Sequence, residues 1–511
     1  MSAASAHLAA LDAAAAYRRR WAILAVLSLC LVISGLDALV IAMAVPSVQA
    51  DLNASAGQMQ WTVDAYTLGF GGLLLIAGGL GDRFGHKLVL LVGLAVLLGF
   101  SLGAAFSHTV AELIASRAGM GLGAALVMPA TLAIVKQVFP PEEQARAVSV
   151  WSGAAGLGIP LGPLVGGFLL DHYWWGAIFL VNVPVVWIAL LAGALLIPGR
   201  ERAARMPLDL VGAVLSGVGL VAVVYGLIEV PVYGWDTTGT ALPLAGGALL
   251  IGAFVLWERR AVHAMLPMEL FRDRRFSGSA AALTCQAFAL SGSLFVLTQY
   301  FQLARHHNPL PAGFRLLAVC TLILSAPLAP KVVQAIGDRL TVVAGLLIIA
   351  AGAFLLATAA VTDEHTVQAG LAVMGVGIGL AVPPSVDGIL AGAPQRQAGT
   401  ASAVNDTALQ VGGAIGVAVL GSVLTTSYRQ ALTGTAQLSA DQQHAARDSI
   451  GAALGVAEQL GHYGHGGAQL VGSATHAFGA GLGATSVTSG CVALLGALAA
   501  AVIMPRRSSP R

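Results

Sequence analysis

The chain has 511 residues, of which 57% are hydrophobic and only 10% are charged, and its formal net charge is +2. Soluble domains carry about 25% charged residues, so this composition excludes a soluble enzyme with one anchor and indicates an all-α, polytopic membrane protein. The small net charge gives no indication of nucleic-acid binding. The four cysteines fall in apolar segments without paired spacing, so neither a disulfide framework nor a metal site is expected.

Apolar stretches long enough to cross about 30 Å of hydrocarbon recur along the whole chain. The first follows Arg18, Arg19 and Arg20 and is too long for the apolar region of a cleavable signal, so we interpret it as a membrane span. Fourteen spans are predicted, at 21–45, 59–80, 88–107, 110–136, 145–170, 174–197, 208–230, 241–258, 277–302, 312–333, 340–360, 366–390, 398–425 and 477–504. An even number places both termini on the same side.

The basic residues are distributed unequally over this predicted topology. With both termini inside, 21 of the 26 lysines and arginines fall in inner segments or at the inner ends of spans, four fall in outer segments or at an outer end, and Arg117 lies deep within a span. Lysine and arginine accumulate on the cytoplasmic side of membrane proteins. Both termini are therefore predicted to be cytoplasmic, and the protein to lie in the cytoplasmic (inner) membrane.

A short repeat divides the predicted spans into two halves. Gly81-Asp82-Arg83-Phe84 closes the second span and Gly337-Asp338-Arg339-Leu340 lies between the tenth and eleventh, each predicted in an inner loop. Spans seven and eight are then an insertion between two parallel six-helix halves. The predicted domains are a cytoplasmic tail (1–20), a six-helix bundle (21–200), two inserted helices with an inner loop (201–275), a second six-helix bundle (276–505) with a long outer loop (426–476), and a second tail (506–511).

Three charged residues lie within the first, second and fourth spans. Asp37, Asp64 and Arg117 are each predicted to lie about 8–12 Å below the outer surface, because successive spans run in opposite directions at about 1.5 Å per residue. A charge at that depth costs about 2.5–3.5 kcal/mol on insertion scales, so it is rarely idle. We expect Asp37 to be the main proton and cation site, Asp64 an auxiliary acid, and Arg117 a group that tunes both, with a structural Asp–Arg pair as the alternative.

Further candidates lie in other spans. Asp406, about eight residues into span thirteen, is a candidate second proton or substrate carboxylate. Tyr66 and Trp151 are candidate aromatic faces for an organic cation, although aromatic residues in spans more often serve packing.

The segment GGLGDRFGHK, from Gly78 to Lys87, ends span two on the predicted inner side. Its glycines allow a tight turn and close helix contact, and its charges can latch the two halves together. The candidate residues are Gly78, Gly81, Asp82, Arg83, Gly85, His86 and Lys87. A histidine in this latch predicts pH sensitivity near neutrality.

Span five contains GAAGLGIPLGPLVGG, in which Gly158, Gly162 and Gly166 recur at i, i+4 and i+8. This spacing leaves one helix face without side chains, as in ordinary small-residue packing between membrane helices. The candidate residues of this segment are Gly158, Pro160, Gly162, Pro163, Gly166 and Gly167.

These segments resemble motifs of a known transporter family. Gly78–Lys87 resembles the inner-loop motif of the major facilitator superfamily, with Gly81 in place of an alanine and His86 in place of an arginine. The span-five segment resembles the antiporter motif of exporters in that superfamily, which implies a bendable span five packed tightly against the other half. Further similarities to its fourteen-helix drug:proton antiporter family, within roughly residues 20–425, are found in Leu36–Pro46, Trp61–Tyr66, RAGMGLG from Arg117, FLVNVP from Phe179, LFRDRRF from Leu270, and GTASAVND from Gly399 with GGAIG from Gly412.

The resemblance implies a major facilitator fold with fourteen transmembrane helices and, in the quaternary-ammonium and multidrug exporter branch, expulsion of hydrophobic cations in exchange for protons. No cofactor is expected, since the proton gradient supplies the energy and no phosphate-binding loop motif occurs. The expected partners are the lipid bilayer, protons and small hydrophobic or cationic molecules, with the protein acting as a monomer. The alternatives are proton-coupled uptake of a small solute and a transporter-like receptor without transport; a membrane enzyme is not expected.

Overall fold

The computed structural model describes residues 3–198, 209–235, 237–261, 266–392, 398–435, 438–461 and 466–505. Within those ranges the regular structure is entirely helical. The helices, in chain order, are α1 (Ala3–Leu52), α2 (Ala56–Phe84), α3 (His86–Ala105), α4 (Val110–Val138), α5 (Pro141–His172), α6 (Ala177–Leu196), α7 (Leu210–Tyr233), α8 (Thr238–Glu258), α9 (Arg274–Ala304), α10 (Pro309–Ile336), α11 (Asp338–Thr358), α12 (Glu364–Ala391), α13 (Ala398–Ala431), α14 (Ala440–Asp448), α15 (Ile450–Gly461) and α16 (Gly466–Ile503).

Fourteen of these helices, α1–α13 and α16, occupy the predicted spans. Twelve of them are long and apolar enough, over the described residues, to cross a membrane. The other two, α2 and α5, have 29 and 32 residues, and at about 1.5 Å per residue each exceeds the thickness of the hydrocarbon layer. Among the described residues, twelve helices therefore qualify as spans by length and hydropathy, and α2 and α5 would bring the number to the predicted fourteen.

Glycine contacts hold the helices of each half together in corresponding pairs. In the N-terminal half (α1–α6), a Cβ on Gly93 of α3 would lie 2.9 Å from the carbonyl oxygen of Gly123 on α4. In the C-terminal half (α9–α13 and α16), a Cβ on Gly345 of α11 would lie 2.7 Å from the carbonyl oxygen of Gly377 on α12. Any larger side chain would push these backbones apart, so the glycines set the helix spacing.

The turn between the second and third helices of each half is also repeated, but not in the register predicted. Gly85, between α2 and α3, has φ of 94°, and Gly337, between α10 and α11, has φ of 87°. Only glycine adopts such angles without strain, which makes these two residues the structural equivalents. The predicted match of Gly81 with Gly337 was wrong by four residues: Gly81–Phe84 forms the last turn of α2, whereas Gly337–Arg339 begins at the turn.

The face of the bundle at which α2, α6 and α16 end is here called the terminal face, and the opposite one the loop face. Three hydrogen bonds between the two halves lie toward the loop face. Gln302 of α9 donates to the carbonyl oxygen of Met43 on α1 at 2.9 Å, and Gln49 of α1 donates to Ser449 at 2.6 Å. In the described part of the chain, the halves are therefore joined at the loop face.

The predicted long outer loop contains two short helices, α14 and α15. Ser439 and Gln442 form the predicted capping box at the start of α14. At its end, Asp448 accepts hydrogen bonds from the backbone N–H of Ala56 at 3.0 Å and from Arg429 at 3.2 Å. This segment of the C-terminal half thus covers the start of α2 in the other half.

The inserted helix α7 lies along the seam between α2 and α13. Trp61 of α2 and Tyr225 of α7 have ring centroids 6.1 Å apart. On the other side, Ser422 of α13 donates to the carbonyl oxygen of Leu227 at 2.6 Å, and Arg429 donates to that of Pro231. Helix α7 therefore contacts both halves.

Candidate functional site

Asp37 of α1 is fully buried at the centre of the N-terminal half. Its Oδ1 accepts a hydrogen bond of 2.6 Å from the side-chain amide of Asn182, the first residue after the bend within α6. The Oδ2 atom has no hydrogen-bond partner among the described residues. One carboxylate oxygen is therefore held while the other is free to take a proton or a polar ligand group.

Arg117 of α4 is also fully buried and connects α1 with α2. Its Nη1 donates to the backbone carbonyl of Asp37 at 3.3 Å, and its Nε donates to that of Thr62 at 3.2 Å. Its guanidinium lies 4.6 Å from the ring centroid of Tyr66, a cation–π distance. These bonds place Asp37 and the start of the Thr62–Tyr66 segment at the same depth as Arg117.

Asp64 of α2 is fully buried in the same segment. Neither of its carboxylate oxygens has a hydrogen-bond partner within the described parts of the chain. A buried carboxylate without partners is costly when charged. Asp64 is thus placed in the layer with Asp37 and Arg117, but the described bonds of Arg117 go to backbone carbonyls and not to this carboxylate.

Tyr66 and Trp151, considered as aromatic faces for a cation, are both occupied by protein contacts. Tyr66 is completely buried, faces Arg117, and donates to the backbone carbonyl of Ser34 at 3.3 Å. Trp151 of α5 is half-buried and donates to the hydroxyl of Thr131 on α4 at 3.1 Å. In this conformation the face of Tyr66 is taken by an internal cation.

The structure does not bring Asp406 into the Asp37 cluster. This half-buried residue lies in α13 of the other half, where Asn405 donates to its Oδ1 at 3.0 Å. One turn further along, Gln410 meets α2, since a Cβ on Gly71 would lie 3.2 Å from its Cβ. Asp406 is thus a carboxylate of the C-terminal half close to the seam with α2.

The small residues of α5 contact two different helices. A Cβ on Gly158 would lie 2.6 Å from Cα of Gly35, and a Cβ on Gly166 would lie 2.8 Å from a side-chain carbon of Val40; both partners are on α1. A Cβ on Gly167 would lie 2.7 Å from Cα of Leu310 on α10, in the other half. The face predicted to meet the other half therefore packs mainly on α1 beside Asp37, whereas Gly167 contacts the other half.

Gly162 and Pro163, in the same segment of α5, are both buried. Pro163 contacts Gly313 of α10 through its backbone carbonyl. Gly162 is buried within α5, whereas the surroundings of Pro160 lie outside the described residues.

The segment from the end of α2 to Lys87 contacts its own residues and the end of α6 at the terminal face. The His86 ring lies over Gly81, such that a Cβ there would be 3.0 Å from its Cδ2. Lys87 donates to the last carbonyls of α6, those of Ala194 at 2.7 Å and Ile197 at 2.6 Å. Arg83 lies over the ring of its neighbour Phe84, 5.4 Å from the ring centroid. The side chain of Asp82 and the surroundings of Gly78 lie outside the described residues.

Asn182 is the residue of this site that the sequence analysis did not select. Its segment, FLVNVP, was noted only for its family resemblance. The available signal was a single amide in an otherwise apolar span, which in a membrane must find a buried polar partner. The sequence could not identify that partner as Asp37, 145 residues earlier.

Two helical halves joined by inserted helices, with ionisable groups buried between spans, define a transporter of small molecules. The family model of the Major Facilitator Superfamily matches residues 27–417 of the chain. The chain therefore belongs to the major facilitator superfamily and is a multi-pass membrane protein.

Its curated relatives are drug-resistance and export proteins. The chain is 33% identical to the multidrug efflux pump LfrA of Mycolicibacterium smegmatis over 96% of this chain and 97% of that protein. It is 34% identical to the tetracenomycin C resistance and export protein of Streptomyces glaucescens, over 80% of this chain and 76% of that protein. It is 32% identical to the methyl viologen resistance protein SmvA of Salmonella typhimurium, over 86% of this chain and 90% of that protein.

Solved structures share the fold at low sequence identity. A bacterial homologue of the lysosomal transporter Spinster, in an inward-facing and unoccupied conformation, superimposes with a TM-score of 0.66 at 16% identity, over 96% of this chain and 99% of that one. The peptide transporter POT in complex with sulfate gives a TM-score of 0.63 at 16% identity, over 94% and 95%. These matches support the predicted major facilitator fold.

Proposed function

We propose that the protein is a proton-coupled antiporter that exports hydrophobic, cationic drugs, dyes or antibiotics across the cytoplasmic membrane. The observation that carries the proposal is the buried Asp37, with one oxygen hydrogen-bonded to Asn182 and the other without a hydrogen-bond partner among the described residues. Such a carboxylate gains a proton or a cationic ligand at the cost of the other, because both compete for the same charge.

The relatives support export as the direction of transport. Their names describe efflux, resistance and export of several different compounds, and the α5 segment resembles an antiporter motif. The opposite direction, proton-coupled uptake, has no comparable support. Inward proton flow supplies about 2.3 kcal/mol per charge for each 100 mV of membrane potential, so neither nucleotide hydrolysis nor a cofactor is needed.

Arg117 and Asp64 have distinct parts in this proposal. Arg117 fixes the backbone of Asp37 against Thr62, so the acid is held at a constant depth. Asp64, buried with no hydrogen-bond partner among the described residues, is the auxiliary proton site, and Asp406 in the other half is the candidate second proton or substrate carboxylate. We further propose that the protein acts as a monomer, without enzymatic activity or nucleic-acid binding, with both termini cytoplasmic.

The test is ethidium efflux from energised vesicles containing wild-type protein, Asp37→Asn, or the control Asp441→Asn. The control removes an exposed carboxylate of α14 far from the site. Efflux that stops with an uncoupler and in Asp37→Asn, but continues in the control, supports cation:proton antiport. Uncoupler-sensitive efflux that is unchanged in Asp37→Asn, with equal amounts of inserted protein, would refute the assignment of this residue.

A second measurement separates antiport from proton-independent transport. Adding ethidium to vesicles without a gradient should release protons in the wild type, which a pH-sensitive dye detects. Release of protons that persists in Asp37→Asn would transfer the proton site to another acid, with Asp64 the next to substitute.

A further inference from the structure

We propose that Asn182 is a positioning residue that sets the pH at which Asp37 exchanges its proton. This inference rests on the proposed function, in which Asp37 is the proton site. It concerns a residue of α6 that contacts the carboxylate directly and is itself fully buried.

The geometry assigns the two ends of the amide to different tasks. The Nδ2 group donates to Asp37 Oδ1 at 2.6 Å and lies 3.3 Å from the hydroxyl oxygen of Ser101 on α3. The Oδ1 atom of Asn182 has no hydrogen-bond partner in the described structure. The amide therefore stabilises the charged carboxylate through its donor, while its free oxygen is available to accept a hydrogen bond from the protonated carboxyl after rotation of the amide.

The other polar groups around Asp37 make no described hydrogen bond to its carboxylate. From α4, Arg117 reaches the backbone carbonyl of Asp37. From α2, Tyr66 donates its hydroxyl to Ser34, and Asp64 has no described partner. The charged side chains on the described parts of α5 and α9 lie near the ends of those helices. Asn182 is thus the side chain whose described hydrogen bond reaches the carboxylate itself.

The expected effect has a definite sign. A hydrogen bond to the charged form of an acid favours that form, so its loss favours protonation. The charge-assisted bonds of buried groups correspond to roughly a tenfold change in proton affinity, or about one pH unit. The variant Asn182→Leu, which has similar volume and no donor, should shift the midpoint of the pH profile of ethidium efflux upward by about one unit.

The control is Ser101→Ala, which removes the other partner of the amide and leaves the bond to Asp37 intact. Its midpoint should stay close to that of the wild type. Asn182→Asp provides a second, nearly isosteric test if the leucine variant does not insert: two carboxyl groups at hydrogen-bond distance share a proton, so the midpoint should again move upward. A structural role alone would lower the maximal rate and leave the midpoint unchanged.

The outcomes distinguish this inference from the function on which it rests. If Asp37→Asn abolishes proton release and the Asn182 variants shift the midpoint, both stand. If Asp37→Asn abolishes proton release but Asn182→Leu and Asn182→Asp keep the wild-type midpoint, the role of Asn182 is refuted and the antiport proposal survives. If Asp37→Asn retains proton release, Asp37 is not the proton site, and the inference about Asn182 fails while proton-coupled antiport through another acid stands.

Discussion

The contact between Gly158 and α1 gives a prediction whose size follows from the structure. A Cβ at this position would lie 2.6 Å from Cα and 2.8 Å from the carbonyl carbon of Gly35. Unbonded carbon atoms pack at about 3.5–4.0 Å, so in Gly158→Ala the two helices must separate by about 1 Å. Because the obstacle is backbone, no side-chain rotation relieves it.

The separation has an energetic and a functional consequence. Overpacking of this kind costs about 1–3 kcal/mol, which an unfolding titration in mixed micelles measures. Gly35 precedes Asp37 by two residues, and the bond from Asn182 to Asp37 is 2.6 Å long. A displacement near 1 Å would break it, and misplacements of that size reduce rates on the order of ten- to a hundredfold.

Gly99→Ala is the matched control for this prediction. Gly99 lies on the exposed side of α3, and a Cβ there would meet nothing within 4 Å. Its substitution should leave efflux close to that of the wild type and change the free energy of unfolding only by the gain of about 0.5–1 kcal/mol that alanine has over glycine within a helix, which Gly158→Ala shares. If Gly158→Ala and Gly99→Ala unfold alike and export ethidium at the same rate, the inferred role of glycine in the α1–α5 contact is wrong.

Three further predictions concern the terminal face. Gly81→Ala should slow efflux because its methyl group would lie 3.0 Å from the His86 ring. The double variant Gly81→Ala with His86→Arg removes that ring and should restore the efflux rate. A double variant as slow as Gly81→Ala would contradict this explanation. Lys87→Met should weaken the attachment of α6 by losing two charge-assisted hydrogen bonds, seen as earlier unfolding in micelles, whereas an unchanged unfolding curve would show that water replaces them. Arg20 of α1 donates a hydrogen bond to Glu143 of α5 at 2.8 Å, and this bond holds the pKa of Glu143 below its usual range. The stability that Glu143 contributes is therefore present above about pH 4.3 and is lost on acidification. Wild type and Glu143→Gln should converge in stability at acidic pH, and a constant difference would refute the pairing.

The sequence predicts the fold well because its constraints are local and strong. A span needs about 20 apolar residues whatever its neighbours are, so the order of spans could be read directly. Ser439 and Gln442 likewise predict a helix start from four consecutive residues. The register of the repeat was predicted wrongly. The tetrapeptide match paired Gly81 with Gly337, whereas the positive φ angle that defines the turn pairs Gly85 with Gly337.

The candidate site was predictable in composition but not in its contacts. The depth of Asp37 and Arg117 follows from counting residues along the spans, and the structure places them together. Arg117 donates to the backbone carbonyl of Asp37, whereas Asn182 donates to its carboxylate. Both contacts depend on how α4 and α6 are rotated against α1. Such rotations are fixed by long-range packing, for which a single sequence carries no pairwise signal.

The position of α7 has a consequence for how compounds reach the interior. A molecule dissolved in the bilayer that approaches the seam between α2 and α13 meets α7, which is bonded to α13 through Ser422 and packed on α2 through Trp61. We expect lateral entry to be confined to the other seam, between α5 and α10, where Gly167 packs against Leu310 toward the loop face. Helix α7 would thus close one of the two seams between the halves to compounds that enter from the lipid.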